Sequence, residues 1–439
     1  MNDLMKIYDN LESNYDVTYP ENSNATYQSL LNYSNEGEKP RQSWYRYKEG
    51  YSLDLIKKII CDYKIEEEGV ILDPFLGSGT TVMAANSLGK KGIGFEVNPF
   101  SFFLSKCKLS NYTNEQVNLF RTSFIKIINK AKLVNNQVSE LPKLSISDKV
   151  FNKNIESFFM TIKYEINNAD IDNEVKNLLL LGWLSTLEAI STYRKAGNGL
   201  KIRKTFKNVY DTIEKVEEIL LKQYNKMYKD LKNDNNKYNV ELYNNSALNL
   251  SKFIESESIE GVIFSPPYAN AFDYTEIYKL ELWFGGFVNE YKDLKYLRNN
   301  SLRSHLNGLT IKQNIDDVGL PTLYELDCLL ELLISKDLWN KKIPLMLRLY
   351  FGQMYHLLEE VYKSLKPEGY CAIIVGNSSY GGIIFPTDLL LAKYAEKIGF
   401  EVDKIEVDRY IITSSQQYKL TSKMKKYLRE SVVCLKKKK

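Results

Sequence analysis

The sequence predicts an α/β protein built on a mostly parallel, doubly wound sheet, and three observations carry that expectation. Val70-Ile71-Leu72-Asp73 is a short apolar strand that runs into a glycine loop and then a helical pattern from Val82 to Leu88. Gly92-Ile93-Gly94-Phe95-Glu96 follows as a second strand. Phe351 to Leu365 is an amphipathic helix stopped by Lys366-Pro367-Glu368-Gly369, and Tyr370 to Val375 is a buried strand after it. Strands alternating with helices in this way place helices on both faces of a parallel sheet.

The elements in order divide the chain into six segments. Residues 1–40 are polar and poor in pattern and read as an irregular arm; 41–112 hold the first two strands. Residues 113–236 turn helical, with Asn177 to Ile190 apolar nearly all round and Val209 to Leu231 alternating charged and apolar faces; this segment is a helical insert. The sheet resumes over 237–288, where Val240 to Tyr243 and Gly261 to Phe264 are strands. A polar insert covers 289–345, and the remaining strands lie in 346–439, ending with Glu430 to Leu435 as an arm of an antiparallel hairpin.

The second apolar strand of that middle segment ends in Ser265-Pro266-Pro267-Tyr268. Two prolines forbid helix and remove two backbone donors, which leaves carbonyls able to accept. A hydroxyl, a fixed carbonyl and an aromatic ring at one strand end suit a planar group carrying an amine, and an extruded nucleobase is such a group. A plain proline-rich turn is the other reading of the four residues. The glycine loop narrows the choice. Gly77-Ser78-Gly79 lacks the Gly-Lys-Ser/Thr of a P-loop, and Val82 stands where the dinucleotide fingerprint needs its third glycine. Asp73 before the glycines suits a ligand with an ammonium group, as in S-adenosylmethionine, and Glu96 at the next strand end suits ribose hydroxyls.

Asp73-Pro74-Phe75-Leu76-Gly77-Ser78-Gly79-Thr80-Thr81 together with Ser265-Pro266-Pro267-Tyr268 resembles the amino-methylating DNA methyltransferases, and the serine form is similar to the N4-cytosine branch. The resemblance also covers Trp44 to Leu55, Val240 to Leu250 and Leu365 to Thr387, about half of the chain. It implies a Rossmann-like methyltransferase sheet with S-adenosylmethionine as cofactor. Residues Asp73, Pro74, Phe75, Gly77, Ser78, Gly79, Thr80 and Thr81 then bind that cofactor, with Tyr51 and Ser52 near its methionine end. Glu96 and Asn98 follow on the second strand, and Asn245 and Ser246 lie near the adenine, where an ordinary Asx turn at Asn245 is the alternative. Ser265, Pro266, Pro267 and Tyr268 hold the target amine. Serine at this position favours cytosine N4, and adenine N6 stays open as the acceptor. An RNA base methyltransferase and an inactive DNA-recognition subunit are the readings from other classes.

The remaining composition fits a large cytoplasmic enzyme, and the resemblance implies double-stranded DNA as its substrate and a cognate restriction endonuclease as a partner. The 439 residues are 44% apolar, no stretch reaches membrane-spanning length, and no leader is expected at the start. Five scattered cysteines and two histidines offer no metal spacing, so no metal is expected. No Pro-Cys pair is present, which argues against methylation at a ring carbon. A net charge of +4 says little by itself. Arg194, Lys195, Lys201, Arg203, Lys204 and Lys207 surround Gly197-Asn198-Gly199 without an acid, as a flexible basic loop that either tracks phosphates or is simply solvated. Arg298 and Arg303, with Asn299, Asn300 and His305, make the polar insert the second candidate for reading DNA.

Overall fold

A computed structural model describes residues 2–28, 30, 33–48, 50–64, 68–133, 140–204, 211–309, 321, 323–411 and 420–439. Lys207, Val209 and the part of the polar insert at 310–320 and 322 lie outside the described residues. The strands are β1 (Val17–Thr18), β2 (Val70–Asp73), β3 (Lys91–Phe95), β4 (Tyr193–Ala196), β5 (Gly199–Ile202), β6 (Val240–Tyr243), β7 (Ile259–Phe264), β8 (Leu365–Gly376), β9 (Ser378–Tyr380), β10 (Ile383–Phe385), β11 (Phe400–Tyr410) and β12 (Arg429–Lys437).

Eight of them form one sheet in the order β1-β11-β12-β8-β7-β2-β3-β6. The run from β8 to β6 is parallel, and β12 lies antiparallel to both β8 and β11. Apolar runs such as Gly261-Val262-Ile263-Phe264 are buried on both faces, which is what a covered parallel sheet requires. Helices Leu53–Asp62 and Thr80–Ser87 cover one face around Ile71, Ile263 and Ala372. Helices Ile343–Ser364 and Thr387–Ile398 cover the other around Leu72, Val262 and Ile373. After β2 the chain moves outward through β3 to β6, then returns to β7 on the opposite side of β2. The carboxyl ends of β2 and β7 therefore meet at a topological switch point, the place where open α/β sheets bind ligands.

Two segments depart from the sequence expectation. Residues 1–40 are not an irregular arm. Helix Asn2–Glu12 buries Tyr8 and Leu11 against the main core, and β1 extends the sheet beside β11. Tyr8 donates its hydroxyl to the Ile384 carbonyl at 2.9 Å. The basic segment after Thr192 is not a flexible loop. It is the hairpin β4–β5, closed by Gly197 (φ +59°) and Asn198 between the paired Ala196 and Gly199, a length at which residues with positive φ are favoured. Helices Asn114–Leu133, Lys153–Asn168, Asn173–Ile190 and Ile213–Asn233 share a separate apolar cluster with Trp44 and Trp283. No described helix is long and apolar enough to cross a membrane.

Candidate active site

The switch point opens into a cleft enclosing about 1130 Å³ of empty space, open solvent included. One wall is the glycine loop. Gly77 and Gly79 have φ of +50° and +82°, a region that side chains rarely adopt, and Gly79 leads directly into helix Thr80–Ser87. Phe75, Gly77, Ser78 and Thr80 line the cleft here together with Tyr47 and Tyr51.

The three carboxyl and amide groups predicted from the two strand ends have different surroundings. Asp73 is fully buried below the wall, accepting from the Phe75 N–H at 2.9 Å and the Tyr51 hydroxyl at 3.1 Å; it shapes the loop rather than facing the cleft. Burial pushes its carboxyl up to about 6, against the pull of these donors. Glu96 faces the cleft and accepts from the Gly77 N–H at 2.9 Å and the Asn98 N–H at 2.7 Å. Desolvation pushes it up to about 7 in spite of them. Asn98 lines the same cleft and caps helix Pro99–Leu109 through its Oδ1, while its buried Nδ2 has no hydrogen-bond partner. A carboxylate acceptor beside an orphaned amide donor fits a diol, as on the ribose of a ligand such as S-adenosylmethionine.

Pro74, Asn245 and Ser246 line a smaller adjoining recess that shares Phe75, Glu96, Val97 and Leu302 with the main cleft. Thr81 is buried behind the wall and bonds to the Tyr51 hydroxyl at 2.6 Å. Ser52 does not reach the cleft: it caps helix Leu53–Asp62, accepting from the Leu55 N–H at 3.2 Å, and donates to the Leu30 carbonyl.

The opposite wall begins with Ser265, Pro267 and Tyr268, while Pro266 is buried behind them. The loop is held by the Tyr380 hydroxyl, which donates to the Ala269 carbonyl at 2.9 Å. Gly376 at the end of β8 leaves room for the Tyr268 ring; a Cβ there would lie 2.8 Å from its Cε2. The wall continues through Asp273, Tyr274 and Thr275, and is completed by Leu297, Ser304 and His305 of the second insert. None of these except His305 was singled out from the sequence, because their motif is an ordinary capped turn. Asp273 accepts from the Thr275 N–H, and its second oxygen accepts from Arg298 at 2.9 Å and Asn307 at 2.6 Å.

That arrangement corrects two of the expected DNA contacts. Arg298 is committed to Asp273 and, at 2.7 Å, to Glu276. Lys195 is buried between the Tyr45 and Tyr278 rings, 4.8 Å from each centroid, and pairs with Glu281 at 2.6 Å. Arg203 bonds to the Ser191 and Glu188 carbonyls, and Arg303 to the Arg298 carbonyl, so both guanidinium groups serve the local chain first. Arg194, Lys201 and Lys204 are exposed on the hairpin, and β5 packs on helix Tyr274–Ile277, next to the cleft wall.

Comparison with known proteins agrees with this geometry. A DNA methylase family matches residues 5–106, from the N-terminal helix through β3. The type II methyltransferase M.BsoBI of Geobacillus stearothermophilus is 29% identical over 427 residues, 86% of this chain and 82% of its own. M.AvaI of Nostoc sp. is 29% identical over 86% of this chain and 83% of its own. M.MvaI of Kocuria varians is 22% identical over 74% of each. With the glycine loop, the Ser-Pro-Pro-Tyr end and the switch-point cleft already in place, the chain is similar over most of its length to type II DNA methyltransferases, and its first hundred residues match a DNA methylase family.

Proposed function

We propose that this chain is a type II modification enzyme that methylates the N4 amine of cytosine in duplex DNA, the counterpart of a restriction endonuclease with the same target. The observation that carries this reading is Ser265: a hydroxyl, not a carboxylate or amide, stands at the strand end that faces the Glu96 wall across one cleft. Asn98, Glu96 and the loop from Phe75 to Thr80 hold the cofactor, and the recess at Asn245 and Ser246 takes its adenine. The bound cofactor supplies a methyl group already activated on a sulfonium. The chain's part is to present the amine. An exocyclic amine is a weak nucleophile because its lone pair is shared with the ring. The Ser265 hydroxyl and the Pro266 carbonyl accept its two protons and draw the nitrogen toward tetrahedral geometry. Tyr268 stacks on the base, worth roughly 1–3 kcal/mol. Alignment supplies most of the acceleration, and no strong base is needed because the methylated amine releases its proton readily.

Digested DNA from cells expressing the chain should contain N4-methylcytosine by mass spectrometry. Ser265→Ala should lower the single-turnover rate by about 2–4 kcal/mol of barrier while cofactor affinity is kept. Detection of N6-methyladenine would move the acceptor to adenine and keep the site. Detection of 5-methylcytosine would overturn the mechanism, since no Pro-Cys nucleophile is available to make it.

A further inference from the structure

Two buried polar groups on the cleft walls have no hydrogen-bond partner: Asn98 Nδ2 on the wall of the glycine loop, and both ring nitrogens of His305 on the wall of the Ser-Pro-Pro-Tyr loop. His305 is only 3% exposed, so water does not satisfy it freely. A buried imidazole with two unmade hydrogen bonds is costly, and such a group in a native protein calls for a ligand. Its neighbours are spoken for. The oxygens of Asp273 are taken by Thr275, Arg298 and Asn307, and the Ser301 hydroxyl by the Leu297 carbonyl. The Asn307 backbone lies close enough to raise the ring's hold on a proton, without hydrogen-bond geometry.

We propose that His305 binds the target base, donating a ring N–H to the endocyclic nitrogen that flanks the reacting amine. This rests on the methyl-transfer reading of the cleft, and not on which base is the acceptor, because N3 of cytosine and N1 of adenine occupy the same place beside the amine. Ser265 and Pro266 engage the amine from the strand end, and the next position along the ring edge is that nitrogen, an acceptor that lost its partner when the base left the duplex. The charge state of the donor matters. A cation there would draw the amine lone pair deeper into the ring and slow its attack. Desolvation holds the His305 imidazole below its ordinary value, with Asp273 opposing and Arg298 and Arg303 reinforcing, so a neutral donor meets the base. His305 comes from the second insert, which makes that insert part of the base pocket.

The test is a cycle between the side chain and the base. Once the modified base is identified, duplexes are made with that base and with its deaza analogue, 3-deazacytosine or 1-deazaadenine. The wild type should lose about 10- to 100-fold in kcat/KM on the deaza target, the range of one buried unsatisfied bond. His305→Ala should lose a similar factor on the natural base and little more on the analogue. His305→Gln, which keeps an N–H, should recover part of the loss, and cofactor affinity should be the same in all three. Additive losses would overturn the proposal. So would a wild type indifferent to the analogue, a result that stands even if His305→Ala fails to fold. A wild type that modifies neither amine would overturn the functional reading itself and this inference with it.

Discussion

If Glu96 holds the cofactor as proposed, it is where cofactor binding and pH meet. Its carboxyl must be ionised to accept two hydroxyls, yet desolvation in the cleft raises it to about 7. Cofactor affinity is therefore expected to fall as pH drops through about 7, and Glu96→Gln should flatten that dependence; calorimetry reads both. The same shift acts on stability in the opposite direction. An unfolded glutamate ionises nearer 4.5, so the folded protein binds the extra proton between there and 7. That contribution is complete below the unfolded value and lost as pH rises through about 7. The thermal shift produced by the cofactor should accordingly be larger above this point than below it. A pH-independent affinity would remove Glu96 from the binding wall. At this scale the motifs brought part of the expected residues to one cleft and left others outside it. Glu96, Asn98 and Ser265 stand where their motifs place them. Ser52 was assigned through the resemblance, and Lys195 and Arg298 by charge and position; each spends its polar group on a cap or a buried partner that only the fold brings near.

Among the elements, the hairpin β4–β5 has the clearest bearing on DNA. Lys195 anchors it between two tyrosines, and its outer face presents Arg194, Lys201 and Lys204 beside the wall that holds Tyr274. Replacing these three with alanine should reduce the slope of log affinity against log salt by about 3 if each meets a phosphate. An unchanged slope would put the DNA elsewhere. The hairpin was hidden in the sequence because its charges suggested a solvated loop, although a two-residue Gly-Asn turn between short alternating runs is a hairpin signal. The first helix was hidden for another reason. Its apolar stripe is short, and the partners of Tyr8 lie 376 residues away in sequence.

In the molecule as a whole, the parallel half of the sheet and its switch point were legible, since each strand there is an apolar run with a turn signal at its end. The inserts were not. The second insert, 289–345, was expected to read DNA; in its described part Leu297, Leu302 and His305 line the cleft, a placement set by packing that leaves no motif. The far side of the sheet depends on a buried charge network. Arg429 is fully buried and pairs with Asp388 at 2.7 Å and Glu12 at 3.0 Å, joining β12 to helix Thr387–Ile398 and to the N-terminal helix. Arg429→Ala leaves the buried Asp388 uncompensated and should destabilise the protein by about 3–5 kcal/mol. Denaturant unfolding measures this, and a loss under about 1 kcal/mol would mean that the network contributes little.

The pairing of β1 with β11, and of Glu12 with Arg429 across 417 residues, also sets a timetable. A ribosome releases the N-terminal helix long before its partners exist. At about 5–20 residues per second the wait is roughly 20–80 s. For most of that interval Tyr8 waits for Ile384 and Tyr427, and until residue 376 is added β8, whose Gly376 seats Tyr268, is incomplete. A nascent chain can thus carry every residue of the Ser-Pro-Pro-Tyr loop and still lack the floor beneath it.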